Sequence, residues 1–398
     1  MAAAVLSALT SSLWLMVIGR GLQGFAIATI PLALGIFREA LPIHRVGGAI
    51  ALLTGTLGVG AAAGIPLAGL IAEHFNWHVL FWGSAGLGLL CALLVALVVP
   101  ESPQRAVGRF DVVGATGLTL GLIGLLLSTV QGGQWGWGSS RTLGLGAVAV
   151  VTLLAWGWHQ LRARSPLVDM RLSARRPVLM TNLATVAIGF AIYGMLFVFP
   201  QILQAPTATG YGFGQSLVWS GLAVAPNGVV ALLLTPVAVR LITRLGARMA
   251  MMLGAIVIAV GYIYVTLRMD SVGDFVIASA VIGAGAGIST AATAKLITDA
   301  VPVTETASAN GVNMLMRSVG SAAASAVLVV ILAQVTITVG AATLPSEAAF
   351  RTAFIVAVAA AVIGLLLTAL VPTRAPKADG PVKPAPVGHP GRAVLSQR

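Results

Sequence analysis

Acidic residues are scarce in this chain. Asp and Glu number 11 in 398 residues against 23 Lys and Arg, and charged residues of both signs make up only 9%. So small a charged fraction cannot cover a composition that is 58% hydrophobic, which excludes a domain folded in water. Cysteine is almost missing as well. Cys91 stands by itself, so an internal disulfide is excluded and a cysteine-based metal cluster has no ligands to use. No phosphate-binding loop, no nucleophile–base–acid set and no metal-ligand spacing occurs, which argues against an enzyme and against a self-contained ATP-driven pump. No cofactor and no metal are expected. The opening residues, MAAAVLSALTSS, have no charged n-region and no cleavage site, so they are not a signal peptide.

Long apolar runs are what the chain has in abundance; its mean hydropathy is +0.98. Eleven stretches, at 13–37, 47–71, 78–100, 112–131, 142–160, 178–203, 216–239, 248–267, 275–295, 311–335 and 352–372, each supply the ~20 mostly apolar residues of a membrane-crossing helix. The basic residues sort sharply by gap. One alternating set of gaps, with the C-terminal tail, holds 18 of the 23, and the other holds Arg141, Arg268 and Arg351. The excess of Lys and Arg on cytoplasmic loops then places the C-terminus in the cytoplasm and makes this a multi-pass inner-membrane protein. The net charge of +12 lies in short loops beside spans, where it sets orientation and meets anionic lipid headgroups, so nucleic acid is not an expected partner. Most of the eight Trp fall near span ends, as an interfacial aromatic belt does.

This orientation starts the first complete span outside. Residues 1–12 are apolar but too short to cross, and read as the back half of a helix, so the chain is expected to lack the beginning of its first bundle. Two longer inner connections, at 100–114 and 159–177, set off a pair of spans. The expected division is an incomplete N-terminal bundle at 1–100, an inserted two-helix segment with linkers at 101–177, a six-helix bundle at 178–373, and a disordered cytoplasmic tail at 374–398 rich in Pro, Gly and basic residues.

Charge inside a span is expensive, so Arg20 and Arg317 stand out. On insertion scales such a group costs about 2.5–3.5 kcal/mol unless it is paired or hydrated. Gln23 is one turn from Arg20 on the same face, and Gly24 leaves room for a neighbouring backbone. Two readings stand for each arginine: it faces a translocation pathway, or it snorkels to the nearby interface. In the stretch 54–82, Gly60, Gly64 and Ala68 recur every four residues and make a smooth face for close packing, while Pro66 removes a backbone hydrogen bond and permits a kink; Gly69 follows. Asn182, Tyr193, Gln201 and Asn227 are the polar residues of the last bundle most expected to face a cavity, with an interhelical hydrogen bond as the competing reading for each. Glycines 114, 117, 121 and 124 form a packing ridge on the inserted pair. All 11 Asp and Glu and all five His lie in loops, tails or span ends, so no titratable acid is placed inside the membrane.

These segments resemble a known family. Arg20-Gly21-Leu22-Gln23-Gly24 resembles motif B of the major facilitator superfamily, whose Arg is implicated in proton coupling. The stretch holding Gly60, Gly64, Pro66 and Gly69 is similar to motif C, the antiporter signature, although here Pro66 follows Ile65 instead of a Gly. RFDVVGA (109–115), the QWGWG loop and SPLVDMRL (165–172) resemble the inserted-pair region of the fourteen-span drug:proton antiporter branch. RLITRLGARMAM (240–251) resembles a degenerate motif A, a gating loop in which Arg244, Gly246 and Arg248 remain and Thr243 replaces the usual Asp. The resemblance implies an all-α polytopic membrane protein of the two-bundle fold with an inserted helix pair. Its N-terminal bundle would be incomplete, giving about eleven full spans and one partial. It further implies a monomeric secondary active transporter, not an enzyme, that exports amphipathic organic compounds or drugs by alternating access with proton antiport. Its partners would be a small amphipathic organic substrate, protons and membrane lipids. In that setting Arg20, Gln23, Gly24 and Arg317 would serve proton coupling and translocation, and Gly60, Gly64, Pro66 and Gly69 would form the interface helix. A non-transporting truncated relic or membrane scaffold of the same fold is the alternative.

Overall fold

The computed structural model describes residues 1–98, 111–163, 166–339 and 342–372. The expected tail at 374–398 lies outside them. The first block begins with α1 (Ala2–Leu9) and α2 (Leu13–Gln23), which touch where Gly19 lies against Ser7; a Cβ on Gly19 would stand 2.3 Å from the Ser7 hydroxyl. A 3₁₀ turn at Gly24–Ala28 leads into α3 (Thr29–Ala40). Then come α4 (Ile43–His74), a 32-residue helix with Pro66 inside it, and α5 (His78–Val98).

The inserted pair is α6 (Val112–Trp135) and α7 (Ser140–Arg162). Its glycine ridge seats the partner helix directly. Cβ atoms added at Gly117, Gly121 and Gly124 would lie 3.3 Å from Trp156, 2.6 Å from Leu153 and 3.0 Å from Ala149, so only glycine lets the two axes come this close. Asp111 caps α6 by accepting the Gly114 N–H at 2.7 Å, and also takes hydrogen bonds from Gln160 at 2.7 Å and the His159 ring at 3.2 Å. The Gly114 amide holds its carboxyl below the usual range against the opposing effect of burial, with His159 and Gln160 adding to it. Past α7, Val168 N–H donates to Gln160 Oε1 at 3.2 Å, and a short helix, α8 (Met170–Ser173), is capped by Asp169.

Six spans follow. They are α9 (Arg176–Gln204); a broken span of α10 (Leu217–Val224), α11 (Pro226–Leu233) and α12 (Thr235–Leu245); α13 (Ala247–Leu267); α14 (Val272–Ala300); α15 (Thr306–Gln334); and, after a hairpin, α16 (Glu347–Ala369). The broken span bends by 48° ahead of α12, where Pro236 has no N–H to continue the helix. The hairpin, β1 (Thr336–Val339) against β2 (Ala342–Pro345), pairs Thr336 with Pro345 and Val339 with Ala342. It is an antiparallel addition to a helical molecule.

Among the described residues, nine helices are long and apolar enough to cross a membrane, and ten if the bent pair is counted as one span. With α4 they account for the expected stretches. The last block is the better packed: 61% of the α9 and α14 windows is buried, against 6% for Leu13–Phe37. At its centre Phe199 meets Phe275 and Phe354 edge-on, at 5.2 and 5.6 Å between ring centroids. The large apolar side chains on the outside of the helices, such as Leu97, Leu154 and Leu267, form a surface suited to lipid and unsuited to water.

Candidate functional site

A polar seam runs through the last block between α9, α14 and α15. Helices α9 and α15 come close enough for backbone contact. A Cβ on Gly320 would lie 2.1 Å from Val186 O, and one on Gly189 would lie 3.0 Å from Arg317 O. Along this contact the buried Asn313 donates to Asn182 Oδ1 at 2.8 Å and Thr185 Oγ1 at 3.0 Å. One turn on, Arg317 reaches across to α14, where its Nη1 donates to Thr290 Oγ1 at 3.1 Å. Its Nε is buried without a partner. Arg317 was expected near the inner end of a span starting at 311. Because α15 begins at Thr306, it sits three turns inside the helix, about 16 Å along the axis. No carboxylate among the described residues pairs with it; neutral groups hold a cation in the bundle.

The other expected cavity residues separate. Gln201 lines an open cavity of about 360 Å³ with Phe197, Leu332 and Pro345, and donates to Phe197 O at 3.1 Å. Tyr193 is half-buried and stacks on Phe197, 6.1 Å away. Asn227 points into the packing, its Nδ2 3.6 Å from Met195 Sδ and its backbone N–H on Ser279 Oγ at 3.1 Å. Asn182 and Asn227 thus each touch a neighbouring helix, α15 and α9 respectively. Phe197, Thr185 and Thr290 were not anticipated. Thr185 shares a helical face with Asn182 and was within reach of a sequence argument, but nothing local marks Thr290.

In the first block, Arg20 is exposed. Its guanidinium contacts Gln23 Oε1 at 3.5 Å and lies 4.9 Å from the centre of the Phe81 ring on α5, a cation–π arrangement. A Cβ on Gly24 would meet nothing within 4 Å, and the same holds at Gly60 and Gly64. The close approach on α4 is instead at Gly69, whose Cβ would lie 3.2 Å from the backbone of Leu217 and Val218 on α10. Pro66 is half-buried one turn earlier. Helix α4 therefore lies against the last block along α10 and α11. One turn beyond Gly69, Glu73 Oε1 accepts the Val218 N–H at 3.0 Å. That contact had no signal in the sequence, since the partners are 145 positions apart.

At the opposite end of the last block, Gly246 joins α12 to α13 with φ +85°, a left-handed value that favours glycine. Arg248 caps the far end of α16 by donating to Ala369 O, while Arg244 is exposed. Thr243 spends its hydroxyl on the Val239 and Arg240 carbonyls of its own helix.

Comparison with known proteins agrees with this architecture. The model of the Major Facilitator Superfamily matches residues 1–232 and 182–397. Over 328 residues the chain is 25% identical to the multidrug resistance protein Stp of Mycobacterium tuberculosis, covering 82% of this chain and 60% of that protein. It is 29% identical over 330 residues to the tetracenomycin C resistance and export protein of Streptomyces glaucescens, with 82% and 60% covered. It is 27% identical over 268 residues to the lincomycin resistance protein LmrB of Listeria monocytogenes, with 67% and 55% covered. The aligned region thus spans about 60% of the length of the first two relatives.

Proposed function

Because the chain belongs to the Major Facilitator Superfamily, we propose that this multi-pass membrane protein exports amphipathic organic compounds by alternating access, coupled to proton entry. The family consists of transport proteins, not enzymes. The observation that carries the reading is the polar seam of Asn182, Asn313, Arg317 and Thr290, which holds a cation three turns inside α15 with no carboxylate partner among the described residues. A half-buried arginine whose Nε is enclosed without a partner is expensive within a span and adds nothing to packing that a Met would not. Contact with a substrate or a proton-carrying group during the cycle accounts for its place there. The resistance and export proteins named above support the choice of cargo.

In this reading the first block, residues 1–100, rocks against the six-helix bundle at 178–373 about the α4–α10 contact. Gly60, Gly64 and Pro66 give α4 its freedom to bend, and Gly69 gives its tight seat. Arg20, Gln23 and Gly24 tune coupling at the last turn of α2, where Phe81 steadies the arginine. Gln201, Tyr193 and Phe197 line the outer exit. Arg244, Gly246 and Arg248 form the inner gating turn. The basic-loop alternation places the C-terminus in the cytoplasm.

The test is export by the chain itself, expressed in cells lacking their own efflux pumps and loaded with a fluorescent amphiphile. Accumulation should fall relative to vector-only cells, and an uncoupler should remove the difference. Replacing Arg317 with Met should cut the export rate at least tenfold while the protein keeps or gains heat resistance, since a half-buried charge without a counter-ion is lost with little change in volume. Equal accumulation with and without the protein refutes export, and insensitivity to the uncoupler refutes proton coupling.

A further inference from the structure

We infer that Glu73 is the outer clamp of the transport cycle: a carboxylate from the first block caps α10 of the last block and holds the outer side closed. The inference deepens the alternating-access reading and rests on it.

The geometry is that of a helix cap supplied from outside the helix. The first N–H groups of any helix have no partner within it, and a carboxylate placed there is favoured by hydrogen bonding and by the helix dipole. The cap of α10 from its own chain is weak, since Ser216 Oγ accepts the Trp219 N–H at a long 3.4 Å. Glu73 supplies the remainder. Its Oε1 accepts the Val218 N–H at 3.0 Å, and the Ser216 hydroxyl and Leu217 N–H also face the carboxylate. One turn away Gly69 brings the two backbones into contact at 3.2 Å for a built Cβ. Packing and hydrogen bonding thus coincide at one point, where the first block touches the start of the broken span.

What surrounds the carboxylate makes this contact breakable. Residues 205–225, which hold the turn before α10 and α10 itself, carry no charged side chain. Beside Glu73 on its own helix, His74 is the titratable neighbour. Among the described residues no Lys or Arg of the last block holds Glu73, so separation there breaks no ion pair. The carboxylate is solvent-exposed, and on opening it passes to water instead of being left unpaired in lipid, where the cost would be prohibitive. A buried salt bridge at this point would lock the bundles together. A helix cap at the water boundary can be made and broken in every cycle, and the Val218 amide holds the carboxyl below its usual range so that it is ionised and ready to cap.

Two measurements test the clamp, both with Cys91→Ser so that no other thiol interferes. First, Glu73→Cys and Val218→Cys are combined and the purified protein is placed in proteoliposomes. Reduced protein should export a fluorescent amphiphile, oxidation should slow export at least tenfold, and a reductant should restore it. Full export by cross-linked protein overturns the clamp. Second, spin labels at Phe75→Cys and Ala208→Cys report the outer separation without requiring transport. Glu73→Ala should raise the long-distance population about fivefold, the lower end of usual coupling between two states. Glu73→Gln, whose amide oxygen still accepts the Val218 N–H, should stay near the parent. An unchanged distance distribution in Glu73→Ala overturns the clamp. A shifted distribution in a protein that exports nothing upholds the clamp and refutes the export reading.

Discussion

Placing a single methyl group on Gly320 should separate the two helices that carry the polar seam. A Cβ there would stand 2.1 Å from Val186 O and 3.0 Å from Phe190 N, both backbone atoms that cannot rotate away. Ordinary van der Waals contact begins near 3.4 Å, so in Gly320→Ala α9 and α15 must part by on the order of 1 Å. Overpacking of this kind costs about 1–3 kcal/mol. The same movement stretches the Asn313–Asn182 hydrogen bond, now 2.8 Å, and interhelical bonds in membranes contribute about 0.6 kcal/mol on average. Better helix propensity returns up to about 1 kcal/mol, which leaves a net loss of roughly 1–2 kcal/mol. The assay is the temperature at which half the detergent-solubilised protein stays monodisperse. Gly60→Ala, where a Cβ meets nothing within 4 Å, controls for propensity. Gly320→Ala should fall below the parent by about 2–6 °C, and Gly60→Ala should match or exceed it. A Gly320→Ala midpoint at or above that of Gly60→Ala would refute the close-packing argument.

Asp111 should make stability depend on acidity. Its folded-state carboxyl titrates below the usual value, with the Gly114 amide as the main cause. Its contribution is therefore complete above the unfolded value and disappears as pH falls through the lowered one. Asp111→Ala should cost about 1 kcal/mol at neutral pH, and the gap to the parent in a heat-stability series should close in acid. Gly246→Ala forces a Cβ onto a backbone with φ +85° and should cost about 1–2 kcal/mol. Gly48→Ala, on α4 with nothing within 4 Å of a built Cβ, should cost nothing in the same melt.

The elements legible in the sequence were those set by local spacing. Apolar runs gave the spans, and glycines at 114, 117, 121 and 124 gave the face that receives Trp156, Leu153 and Ala149, because a three- or four-residue rhythm is itself the geometry of a helix face. Gly60 and Gly64 share that rhythm yet stand open, so spacing marks a smooth face without saying what covers it. The tight seat at Gly69 and the Glu73 cap both depend on α10, well over a hundred positions later, and a lone carboxylate at a span end looks the same whether it meets water or a helix terminus. Arg317 was visible as a charge in a span, but its depth was not. That depended on five extra residues of helix at Thr306–Asn310, polar enough to be read as a loop and helical in the structure.

The linker after α7 is gripped from two sides. Gln160 accepts the Val168 N–H at 3.2 Å, and the neighbouring carbonyl, Leu167 O, accepts from Ser308 on α15 at 3.3 Å. Helix α6 also rests on α15. The inserted pair is thereby fastened to the last block and cannot swing on its own. Any movement of α15 therefore carries the inserted pair with it. Distance probes on α7 and α15 should keep one fixed separation in every condition, and a spacing that changes on adding an amphiphile would show that the fastening gives way.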